Sequence, residues 1–515
     1  MNFILTTPLY YVNEKPHLGS TYTTLACDAL ARFHRLEGDA VVFITGVDEH
    51  GQKIQQKAQN NGISPEEHCD CISSHYRGLW KRLDITNDRF VRTTSNNHIQ
   101  IVQSFFERVQ RNGDIYLGKQ QGWYCVGCEE YKDIKQTDDI PRCSTHLTPL
   151  EWRDEENLFF RLTKYQSQIE DLITNDNFIY PISRRNEVKK FVQNGLKDFS
   201  ISRINVPWGI PVPGYKGHTF YVWFDALLGY LSALLDDGGT NDLSRLSQCG
   251  WPASLHVIGK DILRFHAIYW PAMLLSAGLQ IPKMCFGHGF LTREGHKMGK
   301  SLGNVLDPVD LLNTYGSDAV RWYLLKDIRF GQDGDFQRQR FEDLINNDLA
   351  NTIGNMLNRT TSMSRKWFDG LVPDVDDQQK CHSTEIIRIA NDTIDLVRSK
   401  LHNIEFSEAS EAILNLSKQA NLYLNDNEPW KKVKNKELKY DVEIIIYNVL
   451  EVSRIVGILL IPILPDLSSK ILNQLAFNLK LETWDSYLSW GLLQGSTELP
   501  EPTPIIPRVD HSSER

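Results

Sequence analysis

Residues 3 to 51, FILTTPLYYVNEKPHLGSTYTTLACDALARFHRLEGDAVVFITGVDEHG, alternate two largely apolar strand patterns with one helical pattern. The runs at 3–11 and 40–51 are typical of strands that are covered on both faces of a sheet. Between them, residues 22–38 have the apolar spacing of an amphipathic helix, and the pattern ends at Gly38. This order of elements predicts a βαβ unit and a parallel sheet.

The same strand-and-helix pattern returns in the segments TFYVWFDALLGYLSALL, ASLHVIGKDILRFHAIYWPAML and KMCFGHGFLT. We therefore predict an α/β fold with a doubly wound, Rossmann-like parallel sheet, interrupted by an insertion and followed by an all-α helical bundle. The predicted boundaries are 1–115 and 216–335 for the two halves of the catalytic domain, 116–215 for the insertion, 336–495 for the helical domain and 496–515 for a tail.

The composition is that of a soluble globular protein, with 41% hydrophobic and 23% charged residues in a chain of 515. A net charge of −9 gives no global sign of a nucleic-acid partner, although local basic patches matter more than the sum. Nine cysteines in so long a chain favour a reducing compartment over a disulfide framework. The first strand pattern begins almost at Met1 and the apolar run 455–465 is too short to span a bilayer, so we expect a cytoplasmic protein without membrane contact.

The insertion contains a candidate metal site. Cys125 and Cys128 form one closely spaced pair, and Cys143 and His146 form a second pair, with fourteen residues between the two pairs. Two such pairs suit one tetrahedral zinc ion, whereas a single pair would more often be two unrelated residues. Because protein side chains fill all four positions, we expect one structural Zn²⁺ and no catalytic water.

Polar residues follow several of the predicted strands. Ligands of open parallel sheets bind beyond the carboxyl ends of the strands, where an anion also meets the N-terminus of a helix. Each of these residues alone would usually be solvated surface, but together they predict one crevice in which the imidazole and the lysines bind phosphate and the acidic groups suit a ribose or an ammonium group. The residues are His17 and Gly19, Asp48, Gly259 and Asp261, and Lys297 and Lys300.

PHLGS at 16–20 and KMGKS at 297–301 resemble the two signatures of class I aminoacyl-tRNA synthetases, usually written HIGH and KMSKS. The segments around them, including FITGVDEHGQKIQ, FYVWFDALLGY and VIGKDILRFHAIYWPAML, are similar to methionyl-tRNA synthetases in particular. The likeness runs from Phe3 to about Asp335 and continues more weakly through the helical domain.

The resemblance implies an enzyme that joins methionine to the α-phosphate of ATP, with Mg²⁺, and then passes it to the 3′ end of a tRNA. No general base is needed, since the amino-acid carboxylate is already ionised at neutral pH. The catalytic residues would be His17, Lys297 and Lys300. The implied ATP-binding set is His17, Gly19, Ser20, Gly259, Asp261, Lys297, Lys300 and Ser301.

The resemblance also implies a methionine pocket made by Leu9, Tyr11, Asp48, Trp223, Tyr230 and His266, with Asp48 taking the ammonium group. Without it, Trp223 and Tyr230 would be interpreted as ordinary core residues. Three positions depart from the family pattern: Ser20 replaces the second signature histidine, Gly299 replaces the first signature serine, and Leu227 stands where proline is frequent.

The helical domain is expected to read the anticodon of the initiator and elongator methionine tRNAs. The residues implied are Asn355 and Arg359, four apart on one helix face, and Trp430, which would stack on an unpaired base. The alternative for Trp430 is a tryptophan that packs between helices. With no appended dimerising domain in the sequence, we expect a monomer.

Three other functions are open to a chain of this kind. A class I synthetase for leucine, isoleucine or valine would carry a large editing insertion, whereas this insertion is only about a hundred residues and holds the cysteine pairs. A non-catalytic tRNA-binding relative would be expected to lose His17, Lys297 or Lys300. A small nucleotidyltransferase of related fold would not need the helical bundle.

Overall fold

The structure is a computed structural model that describes residues 2–127, 129–132, 134, 139–144, 147–204, 206–236, 242–297, 306–376, 384–480 and 483–509. These residues form two compact units, one of residues 2–27 and 41–288, the other of residues 28–40 and the chain from 289 onward.

The strands of the described chain are β1 (Asn2–Tyr11), β2 (Ala40–Asp48), β3 (Arg89–Arg92), β4 (Ile115–Cys125), β5 (Glu130–Lys132), β6 (Glu151–Phe160), β7 (Ile179–Tyr180), β8 (Phe199–Ser200), β9 (Ser202–Ile204), β10 (His218–Phe220), β11 (Leu255–Gly259), β12 (Cys285–His288), β13 (Leu291–Arg293), β14 (His296–Lys297) and β15 (Gly334–Phe336).

The α-helices are α1 (Leu18–Leu36), α2 (Gln52–Asn60), α3 (Pro65–Arg82), α4 (Asn96–Arg111), α5 (Gln166–Thr174), α6 (Ile182–Gln193), α7 (Val222–Ala226), α8 (Gly229–Leu234), α9 (Trp270–Ser276), α10 (Pro308–Tyr315), α11 (Ser317–Trp322), α12 (Arg338–Leu344), α13 (Asn355–Trp367), α14 (Thr384–His402), α15 (Phe406–Asn427), α16 (Pro429–Lys432), α17 (Lys439–Leu460), α18 (Pro465–Gln474) and α19 (Trp484–Leu488).

The first unit is built on a six-stranded sheet with the order β3-β2-β1-β11-β12-β7. Leu5 of β1 pairs with Leu255 of β11 in a parallel ladder, and β11, β12 and β7 continue it in parallel. β1 lies in the middle of the sheet, so the turn after Tyr11 opens at the carboxyl edge where the order of strands reverses. The predicted Rossmann-like parallel sheet is confirmed.

Two strands take places that their sequence does not reveal. β10, which the apolar pattern assigned to the parallel sheet, instead pairs antiparallel with β9 in a separate two-stranded ribbon. That assignment was wrong, because the apolar run from Phe220 passes into α7 at Val222 and leaves only a three-residue strand, which does not specify its partner. β7 comes from the range predicted as insertion, yet it pairs with β12 at the edge of the main sheet.

The insertion forms a four-stranded antiparallel sheet with the order β5-β4-β6-β8. β4 and β6 pair along ten residues, from Ile115 opposite Phe160 to Tyr124 opposite Glu151. The side chains of Trp123, Cys125, Cys143 and Leu150 make a small buried cluster beside this hairpin.

The second unit is mainly helical. Its longest elements are α15 and α17, and α17 is buried from Ile445 through Leu460. The apolar run from 455 therefore lies inside a helical bundle, as its sequence predicted. Within the described ranges, none of the helices combines the length and apolar character that a bilayer crossing requires.

Candidate active site

His17 lies in the turn between β1 and α1, with its side chain exposed at the N-terminus of the helix. The backbone N–H of Gly19 donates to Nδ1 of His17 at 3.0 Å. An imidazole nitrogen that accepts a hydrogen bond carries no proton, so the neutral ring holds its proton on Nε2. The turn therefore presents the Nε2–H of His17, at the N-terminus of α1, to any anion bound there.

Ser20 is buried and turned back on the same turn. Its Oγ donates to the carbonyl of His17 at 2.7 Å and accepts from the backbone N–H of His17 at 3.1 Å. The hydroxyl thus holds the conformation of the turn that presents His17.

The second phosphate signature falls mostly outside the described residues. Lys297 ends β14, which pairs with β13, while Lys300 and Ser301 lie in the part of the chain that is not described. Their predicted roles stay predictions.

Gly259 and Asp261 follow β11 at the carboxyl edge of the sheet. A side chain at Gly259 would begin 2.6 Å from Oδ1 of Asp261, so only glycine lets the Asp261 carboxylate fold over this turn. The N–H of Lys260 donates to the carbonyl of His288 at 2.9 Å, which ties the turn to the end of β12.

Asp48 ends β2 and is buried. Burial raises the pKa of its carboxyl well above the ordinary value, and the neighbouring carboxyl groups of Asp225 and Glu129 raise it further. A buried carboxylate among other acids is poorly stabilised unless a cation joins it. The pocket is therefore electrostatically suited to an ammonium group at Asp48.

Behind Asp48, the carboxylate of Asp225 is held between two histidines. Nδ1 of His50 lies 2.7 Å from one oxygen, and Nε2 of His98 lies 2.6 Å from the other. Burial alone would raise the pKa of Asp225, but His50 and His98 lower it to about 2. Two histidines therefore hold Asp225 in its ionised form, whereas the surroundings of Asp48 raise the pKa of its carboxyl group. The sequence analysis assigned no role to this triad.

An aromatic pocket is formed by Trp223, Tyr230 and His266. Burial lowers the pKa of His266 to about 4, so its ring is neutral at pH 7. Nδ1 of His266 faces the carbonyl of Ile262 at 3.1 Å, and the hydroxyl of Tyr230 donates to Nε2 at 2.8 Å. The contact between His50 and Asp225 joins the turn after Asp48 to α7, the helix that carries Trp223, so the aromatic residues and the carboxyl group belong to one region of the unit.

Two further aromatic residues that the sequence analysis missed support this pocket. Trp223 stacks on Phe265 with 4.0 Å between ring centroids and 6° between planes. Tyr230 packs on His256 at 4.6 Å, and Nδ1 of His256 bonds to the Thr6 hydroxyl at 2.6 Å. His256 lies in the segment LHVIG, which the apolar pattern predicted as a strand. Its place in that strand was the one feature of the sequence that pointed to a buried position.

Leu9 and Tyr11 reach the site from β1. Leu9 is packed so closely on Gly229 that a side chain there would begin 2.4 Å from Cδ1 of Leu9. The hydroxyl of Tyr11 donates to Oε1 of Glu129 at 2.6 Å. Glu129 belongs to the insertion, and nothing in its sequence context signalled this contact.

The predicted metal ligands are only partly described. Cys125 and Cys143 are both buried in the small cluster beside the hairpin, whereas Cys128 and His146 lie outside the described residues. Among the described residues, no group of three or more His, Cys, Asp or Glu side chains is placed so that it could hold a metal ion. Two buried thiols in one cluster fit half of a zinc site.

In the helical unit, the structure brings Arg359 of α13 and Trp430 of α16 together. The guanidinium carbon of Arg359 lies 5.8 Å from the Trp430 ring centroid, and Nη2 donates to Oδ1 of Asn425 at 3.0 Å. Asn355 begins the same helix as Arg359. Trp430 is half-buried, so part of its ring remains accessible.

The chain combines a parallel sheet, the two signature sequences and a helical unit, which are the parts found in class I tRNA synthetases. The family model described as tRNA synthetases class I (M) matches residues 3–146 and 133–361. A second model, the anticodon binding domain of methionyl tRNA ligase, matches residues 372–497.

Relatives that match nearly the whole chain are methionine–tRNA ligases. The chain is 50% identical to the methionine–tRNA ligase of Synechocystis sp., covering 99% of this chain and 98% of the relative. It is 48% identical to the chloroplastic/mitochondrial methionine–tRNA ligase of Arabidopsis thaliana, covering 100% of this chain and 84% of the relative. The chain therefore belongs to the methionine–tRNA ligase family, and the predicted enzyme class and function are confirmed.

Solved structures show the same fold. Mycobacterium tuberculosis methionyl-tRNA synthetase in complex with methionyl-adenylate matches with a TM-score of 0.92 and 38% identity, covering 98% of this chain and 100% of that chain.

Proposed function

We propose that the chain activates L-methionine with ATP at the site around Asp48 and Tyr230, and then transfers it to methionine tRNAs. One observation carries this proposal: the turn after the buried carboxyl group of Asp48 is joined through His50 and Asp225 to α7, the helix that carries Trp223 of the aromatic pocket. An α-amino acid with an apolar side chain supplies both parts, an ammonium for Asp48 and a flexible thioether for the aromatic walls. The neutral His266 and the Tyr230 hydroxyl give the pocket a polar end without a charge.

The activation step is a displacement at phosphorus. An oxygen of the methionine carboxylate attacks the α-phosphorus of ATP, the bond to the bridging oxygen breaks, and pyrophosphate leaves. Catalysis then depends on position and on stabilising charge on the phosphates. The Nε2–H of His17 donates to phosphate oxygens, and Lys297 and Lys300 neutralise the leaving pyrophosphate. Mg²⁺, when bound with ATP, supplies further positive charge.

The insertion would hold one structural Zn²⁺ through Cys125, Cys128, Cys143 and His146. The two thiols within the described residues, those of Cys125 and Cys143, are buried together with Trp123 and Leu150, an environment that suits a closed metal site. Metal analysis of the purified protein tests this. We expect one equivalent of zinc, and its loss with a lower melting temperature in Cys143→Ser; a wild-type protein with no zinc would contradict the site.

The helical domain, 336–495, would read the anticodon of the initiator and elongator tRNAs. Aromatic rings and guanidinium groups are the side chains on which proteins stack single-stranded bases, and here the Arg359 guanidinium lies over the half-buried Trp430 ring. The catalytic halves at 1–115 and 216–335, the insertion at 116–215 and the tail at 496–515 complete the proposed organisation. We propose a cytoplasmic monomer.

The test is amino-acid-dependent exchange of pyrophosphate into ATP, assayed with all twenty amino acids. We expect exchange with methionine, weak exchange with close analogues and none with leucine or valine. Exchange driven by leucine or valine but not by methionine would refute the proposed specificity, and no exchange with any amino acid would leave a tRNA-binding protein.

A further inference from the structure

Glu129 connects the cysteine-bearing insertion to two parts of the amino-acid site. It is buried, 7% exposed, although it comes from a loop whose neighbours Glu130 and Lys132 form an exposed ion pair. Its backbone is left-handed, with φ 52°, so the chain turns sharply to send this one side chain inward. A buried acid in a strained turn needs a structural reason.

The Glu129 carboxylate accepts two hydrogen bonds. Oε1 takes the hydroxyl of Tyr11 at 2.6 Å and the backbone N–H of Lys53 at 3.2 Å. Tyr11 ends β1. Lys53 lies in the first turn of α2, and Gly51 is the N-cap residue of that helix. Gly51 has no side chain to cap the helix, so Glu129 supplies the cap from the insertion.

Gly51 is required by this contact. Its φ is +119°, and a side chain there would begin 2.5 Å from Oε1 of Glu129 and 2.6 Å from the Tyr11 hydroxyl. Asp48 lies only three residues before Gly51, at the end of β2. Tyr11, Gly51, Lys53 and Glu129 therefore form one tight contact, which we name the Glu129 joint.

We infer that Glu129 is a positioning residue for methionine binding: the Glu129 joint holds Tyr11 and the turn after Asp48 where the substrate meets them. The inference rests on the proposed function and adds a second role for the insertion. Since Glu129 directly follows Cys128 in the chain, the loop that would bind zinc also fixes one wall of the amino-acid pocket. ATP binds elsewhere, so its affinity should not depend on this joint.

The experiment measures KM for methionine, KM for ATP and kcat in the exchange reaction. In Glu129→Ala we expect KM for methionine to rise by about tenfold, as the loss of a hydrogen bond to a charged group implies, while KM for ATP stays within about twofold. Glu129→Gln keeps a carbonyl oxygen for both donors and should stay within about threefold of wild type. Glu130→Ala, an exposed neighbour, is the matched control and should be unchanged.

A double-mutant cycle separates positioning from general structure. Tyr11→Phe removes the same hydrogen bond, so Tyr11→Phe combined with Glu129→Ala should be no worse than the more severe single variant. The inference would be overturned if the effects of Tyr11→Phe and Glu129→Ala on the methionine KM were additive. It would also be overturned if Glu129→Gln were as impaired as Glu129→Ala, or if Glu129→Ala raised the KM values for methionine and ATP equally. If Glu129→Ala does not fold, Tyr11→Phe and Glu129→Gln carry the test, and an unchanged methionine KM in Tyr11→Phe overturns it. A wild-type enzyme without methionine-dependent exchange would refute the proposed function instead.

Discussion

The proposed amino-acid pocket and the proposed base-reading surface, formed by Arg359 and Trp430, are organised in opposite ways. In the pocket, Tyr230 donates to a buried, neutral His266, and Asp225 is fixed between two histidines before any substrate arrives. On the helical unit, Arg359 and Trp430 are only loosely associated, at 5.8 Å, and both keep part of their surface accessible.

The difference follows from what each ligand offers. A small amino acid makes few contacts and gains little binding free energy from them. Its pocket must therefore be ordered and free of water before the amino acid binds. An unpaired tRNA base brings a large flat face, which an exposed ring and a guanidinium can accept without a closed site. Pocket variants should therefore alter activation itself, whereas surface variants should alter only the use of tRNA.

The largest effect is expected at Asp48. Asp48→Asn removes the partner of the substrate ammonium, a loss of about 3–5 kcal/mol, so kcat/KM for methionine should fall by several hundredfold or more. The melting temperature should stay the same or rise, because a carboxyl with a raised pKa costs folding stability at neutral pH. Exchange kinetics and calorimetry test the two parts. An unchanged methionine KM would remove Asp48 from the ammonium site.

The raised pKa of Asp48 also predicts a pH dependence. The folded protein keeps this carboxyl protonated to a higher pH than an ordinary aspartate, and only the ionised form pairs with an ammonium. KM for methionine in the wild type should therefore fall as pH rises through the pKa of Asp48. A methionine KM that rises, or that does not fall, as the pH is raised above the ordinary aspartate pKa near 4 would contradict this electrostatic description of the pocket.

Asp225→Asn should weaken the protein behind the pocket. Breaking a buried charged group away from two histidines costs about 3 kcal/mol of unfolding free energy at pH 7. The folded pKa of about 2 lies below the unfolded value near 4, so this stability is present above pH 4 and is lost as pH falls towards 2. Urea unfolding at pH 7 and pH 3 should show the difference between wild type and variant shrinking, with exposed Asp426→Asn as the control. A constant difference would mean that the charge is not involved.

On the other side of the comparison, Trp430→Ala should raise KM for tRNA by about tenfold, since one stacked base contributes about 1–3 kcal/mol. Methionine-dependent exchange should not change. Trp367→Ala, a half-buried tryptophan on the same helix as Arg359, is the matched control. Equal loss of charging in both variants would indicate packing rather than base recognition.

The smallest effect is expected from Tyr230→Phe, which keeps the ring and removes one hydroxyl. Loss of its hydrogen bond to His266 costs about 1 kcal/mol, so KM for methionine should rise by about fivefold in the exchange assay. No change would mean that the hydroxyl contributes nothing to the pocket beyond its ring.

The sequence predicted the parts of this molecule that repeat a periodic pattern. β1, α1 and β2 show apolar periodicity over many residues, and the turn containing His17 follows from its place between them. β10 could not be placed, since the apolar run that begins at Phe220 passes into α7 and the remaining three-residue strand does not choose between a parallel sheet and an antiparallel ribbon.

Long-range contacts were beyond prediction. Glu129 reaches Tyr11 from 118 positions away, through a left-handed backbone that no glycine or asparagine marks. His98 and Asp225 are 127 positions apart, and each looks ordinary in its own segment. The pocket residues were named by family resemblance, and the groups that support them required coordinates.

The most direct test measures exchange and tRNA charging on the same preparations of wild type, Asp48→Asn and Trp430→Ala. We predict that Asp48→Asn loses both activities in the same proportion, because activation precedes transfer. Trp430→Ala should keep wild-type exchange and lose charging alone. A Trp430→Ala variant that lost both activities equally, or an Asp48→Asn variant that kept exchange, would contradict the division between a closed pocket and an open base-reading surface.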